Sequence, residues 1–262
     1  MLLGGRSLKK KLWLLFTLVA TTALLAGCGE FDKPITEENT GFWNEFIVWP
    51  LVSAIVYFAE NFGSYAISII VVTIIIRLVI LPLTIKQVKS SRQMQEIQPK
   101  LKELQAKYPS KDAVSQQKYQ QEMAALMQSS GVNPLAGCLP IFIQMPILIG
   151  FYHAISRMNA DGSIYNLGSF LSVPLGEPSI LFAILAGLFQ YVVLMTGPAM
   201  DNPQMKMMMY IMPLMIIGFG AFLPAALSLY WIVGNIISVI QNLFIHKPWN
   251  KKSEPTTGGA KK

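Results

Sequence analysis

Hydrophobic residues are arranged along this chain in long runs separated by polar stretches. A helix needs about 20 apolar residues to cross a hydrocarbon core of about 30 Å, and five runs reach or approach that length. They cover residues 63–85, 134–156, 178–196, 207–222 and 224–245. The pattern predicts an all-α polytopic membrane protein with five transmembrane helices. Almost nothing, Leu223 and Pro224, lies between the fourth and fifth runs, so we expect these two to form a tight helical hairpin.

Residues 43–61 differ from these runs because they mix aromatic and apolar side chains with Glu45 and Glu60, and Pro50 interrupts them. Two tryptophans suit a helix that lies in the membrane interface. We therefore expect an amphipathic interfacial helix here. The alternative is an ordinary helix in an extracytoplasmic loop.

The polar segment 86–133 has a helical pattern of its own. In its first part Met94, Ile97, Leu101 and Leu104 recur at spacings of three and four, which predicts a narrow apolar seam on a polar helix. A second helix follows and ends near Gly131. The segment is therefore expected to be a helical hairpin, either a solvated connector or a mobile docking element for a ribosome, a targeting factor or an emerging chain.

The first 27 residues are typical of a secretory signal. A basic region is followed by a short apolar stretch that ends in small residues. The sequence LLAGC, which ends at Cys28, looks like a lipobox, so we expect cleavage before Cys28 and acylation of its thiol. Residues 28–42 would then link the lipid anchor to the membrane core. The alternative is an uncleaved first span with a buried cysteine.

The distribution of charge predicts an orientation. Only 13% of the residues are charged, against about 25% in soluble domains, and the net charge is +7. The basic residues are concentrated in 86–133 and in the tail 246–262, which by the positive-inside rule belong in the cytoplasm. Five spans place both segments on the same side and the N-terminus outside. We expect a multi-pass protein of the cell membrane.

Residues that could support ordinary enzyme chemistry are scarce. Apart from Cys28 there is one cysteine, Cys138, within an apolar run, and the two histidines are far apart in sequence. No cluster has metal-ligand spacing, and no nucleotide-binding or hydrolase motif occurs. The sequence therefore predicts no metal, no cofactor and no enzymatic activity.

Arg77 is the exception in the apolar runs. It lies eight residues before Ile85, or roughly 12 Å deep in the first span at 1.5 Å per residue. A charge at mid-helix costs about 2.5–3.5 kcal/mol on insertion scales and is tolerated when it faces a partner or a wet cavity. The five runs contain no Asp or Glu. We therefore expect Arg77 to face a water-filled groove, and the alternative is a bridge to backbone carbonyls of other helices.

Uncharged polar side chains on the other runs could line such a groove. They are Gln144 and Tyr152 in the second run, Gln190 in the third, and Ser228, Tyr230, Asn235 and Gln241 in the fifth.

Four sequence blocks together resemble the YidC/Oxa/Alb family of membrane insertases. The blocks are VVTIIIRLVILPL, NPLAGCLPIFIQMPILIGFY, NPQMKMMMYIMPLM and LPAALSLYWIVGN, and they occur in the family's order. The lipobox and the five spans resemble the Gram-positive members. The resemblance implies that the groove arginine of the family falls on Arg77 and that its polar and aromatic groove positions fall on Gln144, Gln190 and Trp231.

The resemblance also implies a function. It predicts an ATP-independent insertase core over 62–245, with a hydrophilic groove that is closed outside and open to the cytoplasm and to lipid. The expected partners are nascent membrane proteins and the bilayer, with the ribosome, the signal recognition particle receptor and the Sec translocon as further candidates and no small-molecule substrate. Two other classes stay open: a small-solute or ion transporter, and a non-catalytic lipoprotein assembly factor.

Overall fold

A computed structural model describes residues 33–36, 41–109, 112–131, 139–160, 163–197 and 203–246. The elements are a π-helical turn (Asn44–Val48), α1 (Trp49–Phe62), α2 (Tyr65–Glu96), α3 (Gln98–Lys107), α4 (Ala113–Ser129), α5 (Leu139–Met158), β1 (Ser169–Phe170), β2 (Val173–Pro174), α6 (Ile180–Thr196), α7 (Pro203–Gly220) and α8 (Ala225–His246). The all-α class is confirmed. The proposed signal peptide, Cys28 and the tail beyond residue 246 lie outside the described residues.

Helix α1 and the π-helical turn before it form one continuous helical stretch. Pro50 lies at the start of α1, where its missing N–H is tolerated, and does not interrupt the stretch. Just before it, the Trp49 N–H bonds the Asn44 carbonyl, five residues back, in the π-helical pattern. By length and composition, Asn44–Phe62 could span a membrane. Its assignment to the interface therefore stays a prediction.

Helix α2 is longer than the span that the sequence predicts. It has 32 residues, or about 48 Å at 1.5 Å per residue, against a hydrocarbon core of about 30 Å. No break separates the apolar run from the basic residues that begin at Lys86. The helix ends only at Ile97, because Pro99 has no amide hydrogen to continue the backbone ladder. The first helix of the expected hairpin is thus divided between the end of α2 and α3.

Helices α3 and α4 pack against each other through a polar cluster. Lys107 Nζ lies 2.8 Å from Glu122 Oε1, and the Tyr108 hydroxyl donates to the same oxygen at 2.6 Å. The hydrogen bonds from Lys107 and then Tyr108 hold the pKa of Glu122 below its ordinary value of 4.5. Asp112 caps α4 by accepting from the Ser115 N–H at 2.8 Å.

The buried core lies at one end of the bundle, which we call the closed end. Helices α2, α6 and α8 begin there, and α5 ends there. Its buried side chains include Ile69 of α2, Phe151 and Ile155 of α5, Phe182 of α6 and Tyr230 of α8. At the opposite end, which we call the hairpin end, lie α3 and α4.

A loop with two short strands covers the closed end. Its residues 163–179 include the antiparallel pair β1–β2 and supply carbonyls to the start of α8. The Ala225 N–H donates to the Glu177 carbonyl at 2.7 Å, and the Ala226 N–H donates to the Leu175 carbonyl at 3.0 Å. These bonds satisfy amides that have no partner within the helix. The loop and the start of α8 are therefore one packed unit.

The expectation of a tight hairpin between the fourth and fifth runs is wrong, although the connection from α7 to α8 is short. Helix α6 instead packs against both of them. Asn235 and Asn242 of α8 donate to the α6 carbonyls of Ala186 and Val193 at 3.2 and 3.1 Å. Gly187 of α6 leaves room for α7. Polar bonds on one side of α6 and close backbone approach on the other decide the arrangement.

Three helical stretches in the described residues are long and apolar enough to cross a membrane. They are Asn44–Phe62, Tyr65–Glu96 and Ala225–Phe244, and Ile180–Thr196 and Met209–Gly220 are shorter apolar helices. The count of five transmembrane helices stays a prediction.

We predict that Gly187→Ala weakens the α6–α7 contact. A Cβ at this position would meet the Ile217 side chain and would lie 3.0 Å from the Pro213 carbonyl. Overpacking of this kind costs about 1–3 kcal/mol, which outweighs the gain of about 1 kcal/mol in helix propensity. Gly218→Ala is the matched control, because its Cβ meets nothing within 4 Å. Thermal unfolding in nanodiscs should show a lower Tm for Gly187→Ala only, and equal Tm values would contradict the packing.

We predict that the α3–α4 hairpin loosens at low pH. Since the pKa of Glu122 is lowered in the folded protein, its contribution is present above the ordinary value of 4.5 and is lost as pH falls through the lowered pKa. Hydrogen exchange of α3 and α4 in the full protein should accelerate in that acidic range. Glu122→Gln should make exchange fast already at pH 7, and protection that is unchanged by this variant would count against the cluster.

Candidate functional site

Arg77 lies well inside α2. It follows Tyr65, the first residue of the helix, by twelve residues, which places it about 18 Å from the closed end. Its side chain is half-buried, and Nη1 donates to the Ser238 hydroxyl of α8 at 3.4 Å, a long hydrogen bond. Its described partner is thus a neutral hydroxyl on a neighbouring helix.

Gly234 makes room for the guanidinium. A Cβ on Gly234 would lie 2.5 Å from Arg77 Nη2 and 3.2 Å from Cζ. A Cβ does not fit at that distance unless the arginine moves. The absence of a side chain at position 234 therefore lets the Arg77 guanidinium come close to the backbone of α8.

Tyr230 connects Arg77 to α5. The Tyr230 ring is buried and stacks on Phe151 with centroids 4.4 Å apart. Its hydroxyl accepts a hydrogen bond from Gln144 Nε2 at 2.6 Å and lies within electrostatic range of Arg77. We call Arg77, Gln144, Tyr230 and Ser238 the Arg77 cluster. It joins α2, α5 and α8 through polar groups.

The other expected groove residues have different surroundings. Tyr152 and Trp231 are both half-buried and pack against the core, and the Tyr152 ring lies 6.0 Å from that of His153. Gln190 Nε2 donates to the sulfur of Met212 at 3.3 Å, across the α6–α7 contact. The described contacts thus bring Arg77 and Gln144 together around Tyr230, and they join Gln190 to α7.

Gly234 and Ser238 were not among the expected site residues. A signal for both is present in the sequence, because Tyr230, Gly234 and Ser238 recur every four residues and so share one face of α8. Small residues on such a face allow another helix or a long side chain to come close. The pattern alone does not say which residue fills the space.

The bundle is tightly packed at the closed end and looser beyond it. In α2, Ala66, Ile69 and Val72 are buried, whereas the side chains from Ile74 to Lys86 are at most partly buried. Helix α5 packs on α1 and α8, and α7 packs on α6. In the described part of the chain, α5 and α7 form no packed interface with each other.

The fold and the cluster together define an all-α, multi-pass membrane protein with a cationic site between helices. A model of the family described as "60Kd inner membrane protein" matches residues 57–253. Membrane protein insertase MisCA of Bacillus subtilis is 51% identical over 97% of this chain and 99% of its own length. Membrane protein insertase YidC 2 of Bacillus anthracis is 49% identical over 97% of this chain and its full length.

A solved structure is similar to this chain in fold. The crystal structure of an active YidC insertase with its first transmembrane domain resolved matches with a TM-score of 0.62 at 24% identity. The match covers 78% of this chain, which spans about half (47%) of that one. This chain belongs to the YidC family of membrane protein insertases.

We predict that the bond between Gln144 and Tyr230 can be measured by a double-mutant cycle. Tyr230→Phe leaves the half-buried Gln144 amide without this acceptor, which should cost about 1 kcal/mol, at the low end of the range for buried groups. Gln144→Leu should cost a similar amount, and the double variant should cost less than the sum. Unfolding in nanodiscs measures the change in the free energy of unfolding for each variant. Strictly additive changes would contradict the hydrogen bond.

Proposed function

We propose that this chain moves nascent membrane proteins from the cytoplasm into the bilayer through a groove at the Arg77 cluster. The observation that carries the proposal is the setting of Arg77, half-buried about 18 Å from the closed end with a hydroxyl as its described partner. The named relatives are insertases, which supports the same activity. Arg77 would be a binding group for substrate, and no covalent chemistry is involved.

The charge of Arg77 would attract acidic segments. Two opposite charges 4 Å apart interact by about 4 kcal/mol at an effective dielectric constant of 20, against about 1 kcal/mol in water. A short polar tail with Asp or Glu would therefore be drawn into the groove. Gln144, Tyr230 and Ser238 offer hydrogen bonds to the tail or to its water.

The packing of the helices supports a route for a substrate from the groove into lipid. The buried core and the 163–179 loop are packed at the closed end and would block passage straight through it. The looser side between α5 and α7 is where the apolar helix of a substrate would move into lipid. Gln190 and Met212, on the α6–α7 side, would contact it there, and Tyr152 and Trp231 would line the approach.

Transfer of the apolar helix from the groove to lipid would supply most of the free energy that favours insertion. The membrane potential, positive outside, adds about 2.3 kcal/mol per acidic charge per 100 mV for a tail that moves outward. No nucleotide hydrolysis is needed.

The orientation follows from the basic segments. The hairpin end would face the cytoplasm, where eight lysines and arginines in 86–133 would bind anionic lipid or a partner such as the ribosome, the signal recognition particle receptor or the Sec translocon. The closed end would face outward, next to a lipid anchor on Cys28. The stretch Asn44–Phe62 would lie at the outer interface.

We predict that Arg77→Ala slows insertion only of substrates with acidic tails. A single-span test protein would be inserted into liposomes that contain this protein alone, with matched tails that carry Asp or Asn. Loss of the attraction should reduce insertion of the Asp tail about tenfold, which corresponds to about 1.4 kcal/mol, and should leave the Asn tail unchanged. Arg77→Lys should retain most activity, because a point charge is sufficient.

Other outcomes would contradict parts of the proposal. Insertion that does not depend on Arg77 would make the arginine structural and would leave groove hydration as the mechanism. Uptake of a small solute by the same liposomes, without insertion, would favour a transporter. Wild-type protein that only binds the substrate would favour an assembly factor.

A further inference from the structure

A second arginine, Arg157, is fully buried near the end of α5. Its Nε donates to the Lys33 carbonyl at 3.1 Å, Nη2 to the Pro34 carbonyl at 3.3 Å, and Nη1 to Asn44 Oδ1 at 2.7 Å. We call residues 33–36 the strap. Since all three guanidinium nitrogens bond the strap or the π-helical turn, Arg157 fixes both to the closed end.

Apolar contacts hold the strap as well. Ile35 is buried in the core of the closed end, with 4% of its surface exposed. The strap is thus held at a defined place on the bundle by one buried side chain and two carbonyl groups.

The face of α5 that carries Arg157 also packs against residues in and next to the π-helical turn. Gly150 leaves room for Ile47, since a Cβ there would lie 2.7 Å from that side chain. One turn further, the His153 ring lies 6.4 Å from the ring of Trp43. Gly150, His153 and Arg157 lie on one side of the helix. The contact therefore extends over two turns.

The π-helical turn and the residue pair before it also present an apolar surface. Phe42 and Phe46 are 67% and 63% exposed, and their ring centroids lie 5.0 Å apart. Cys28 precedes Lys33 by five residues, so its sulfur can be no more than about 17–20 Å from the strap. The acyl chains of a lipid on Cys28 would therefore begin within reach of this aromatic pair.

We propose that Arg157 is a positioning residue for the lipid anchor. It binds the strap so that the lipid on Cys28 enters the outer leaflet beside Phe42 and Phe46, and this anchors the α5 side of the groove. The inference rests on the lipid anchor that belongs to the proposed function. The simpler interpretation is that Arg157 only stabilises the fold.

The first test measures the position of the anchor segment without any insertion assay. Spin labels are placed at Glu30 and at the exposed Phe62, in the full lipidated protein with Cys138→Ser, and the mass of the N-terminal peptide verifies lipidation. We expect a narrow distance distribution for wild type and a broad one for Arg157→Gln. Asn44→Ala removes one of the three bonds and should give an intermediate width, which covers the case in which Arg157→Gln does not fold. A distribution that stays narrow in a folded variant, or one that is already broad in wild type, would overturn the inference.

The second test separates positioning from simple stability. If Arg157 acts through the anchor, Arg157→Gln should reduce insertion about fivefold when Cys28 is lipidated and should have no further effect in a Cys28→Ala background. Equal losses in both backgrounds would show that Arg157 is only structural. An N-terminal peptide without lipid would refute the proposed anchor and this inference together, while leaving the insertase activity intact. Wild-type protein that is lipidated but inserts nothing would refute the proposed insertase, and the distance distribution would then decide the inference alone.

Discussion

The Arg77 guanidinium lies within an apolar bundle whose five long runs contain no carboxylate that could pair with it. A cation in that setting requires space, hydrogen-bond acceptors and access to water. Gly234 leaves the space, and Ser238 and the nearby Tyr230 hydroxyl provide polar groups. Within the described part of the chain, the protein itself satisfies this guanidinium only weakly. This supports the proposed attraction of an acidic substrate segment.

The closed end is the tightly packed side of the bundle next to the Arg77 cluster. Buried side chains from α2, α5, α6 and α8 converge there, and the loop over residues 163–179 supplies carbonyls to the first amides of α8. Arg157 ties the N-terminal strap to the same end. Arg157 is thus fully buried and bonds three oxygens of distant segments, whereas the half-buried Arg77 makes one long bond to a hydroxyl among the described residues. The contrast supports an architectural role for Arg157 beside the binding role proposed for Arg77.

The apolar runs, the basic segments and the position of Arg77 were all readable from the sequence, because membrane crossing requires long apolar helices and a charge within one is costly. The ends of the helices were harder to predict from the sequence. Nothing between Ile85 and Ile97 stops a helix, so α2 continues past the end of its apolar run. The uncharged partners could be proposed only as a set, since Gln144 and Gln190 look alike in sequence but bond Tyr230 and Met212 respectively.

The sequence by itself determined the all-α membrane class, the family and the presence of a charge within an apolar run, since these depend on residue type and spacing along one chain. Only the tertiary structure decided which helices touch. A short connection brings α7 and α8 together in sequence, but Asn235 and Asn242 bond α6, and Gly187 admits α7 to its other side. It also decided the partners of Arg157, because Lys33 and Asn44 lie more than a hundred residues away along the chain. Contacts between distant segments depend on packing geometry, which no local pattern records.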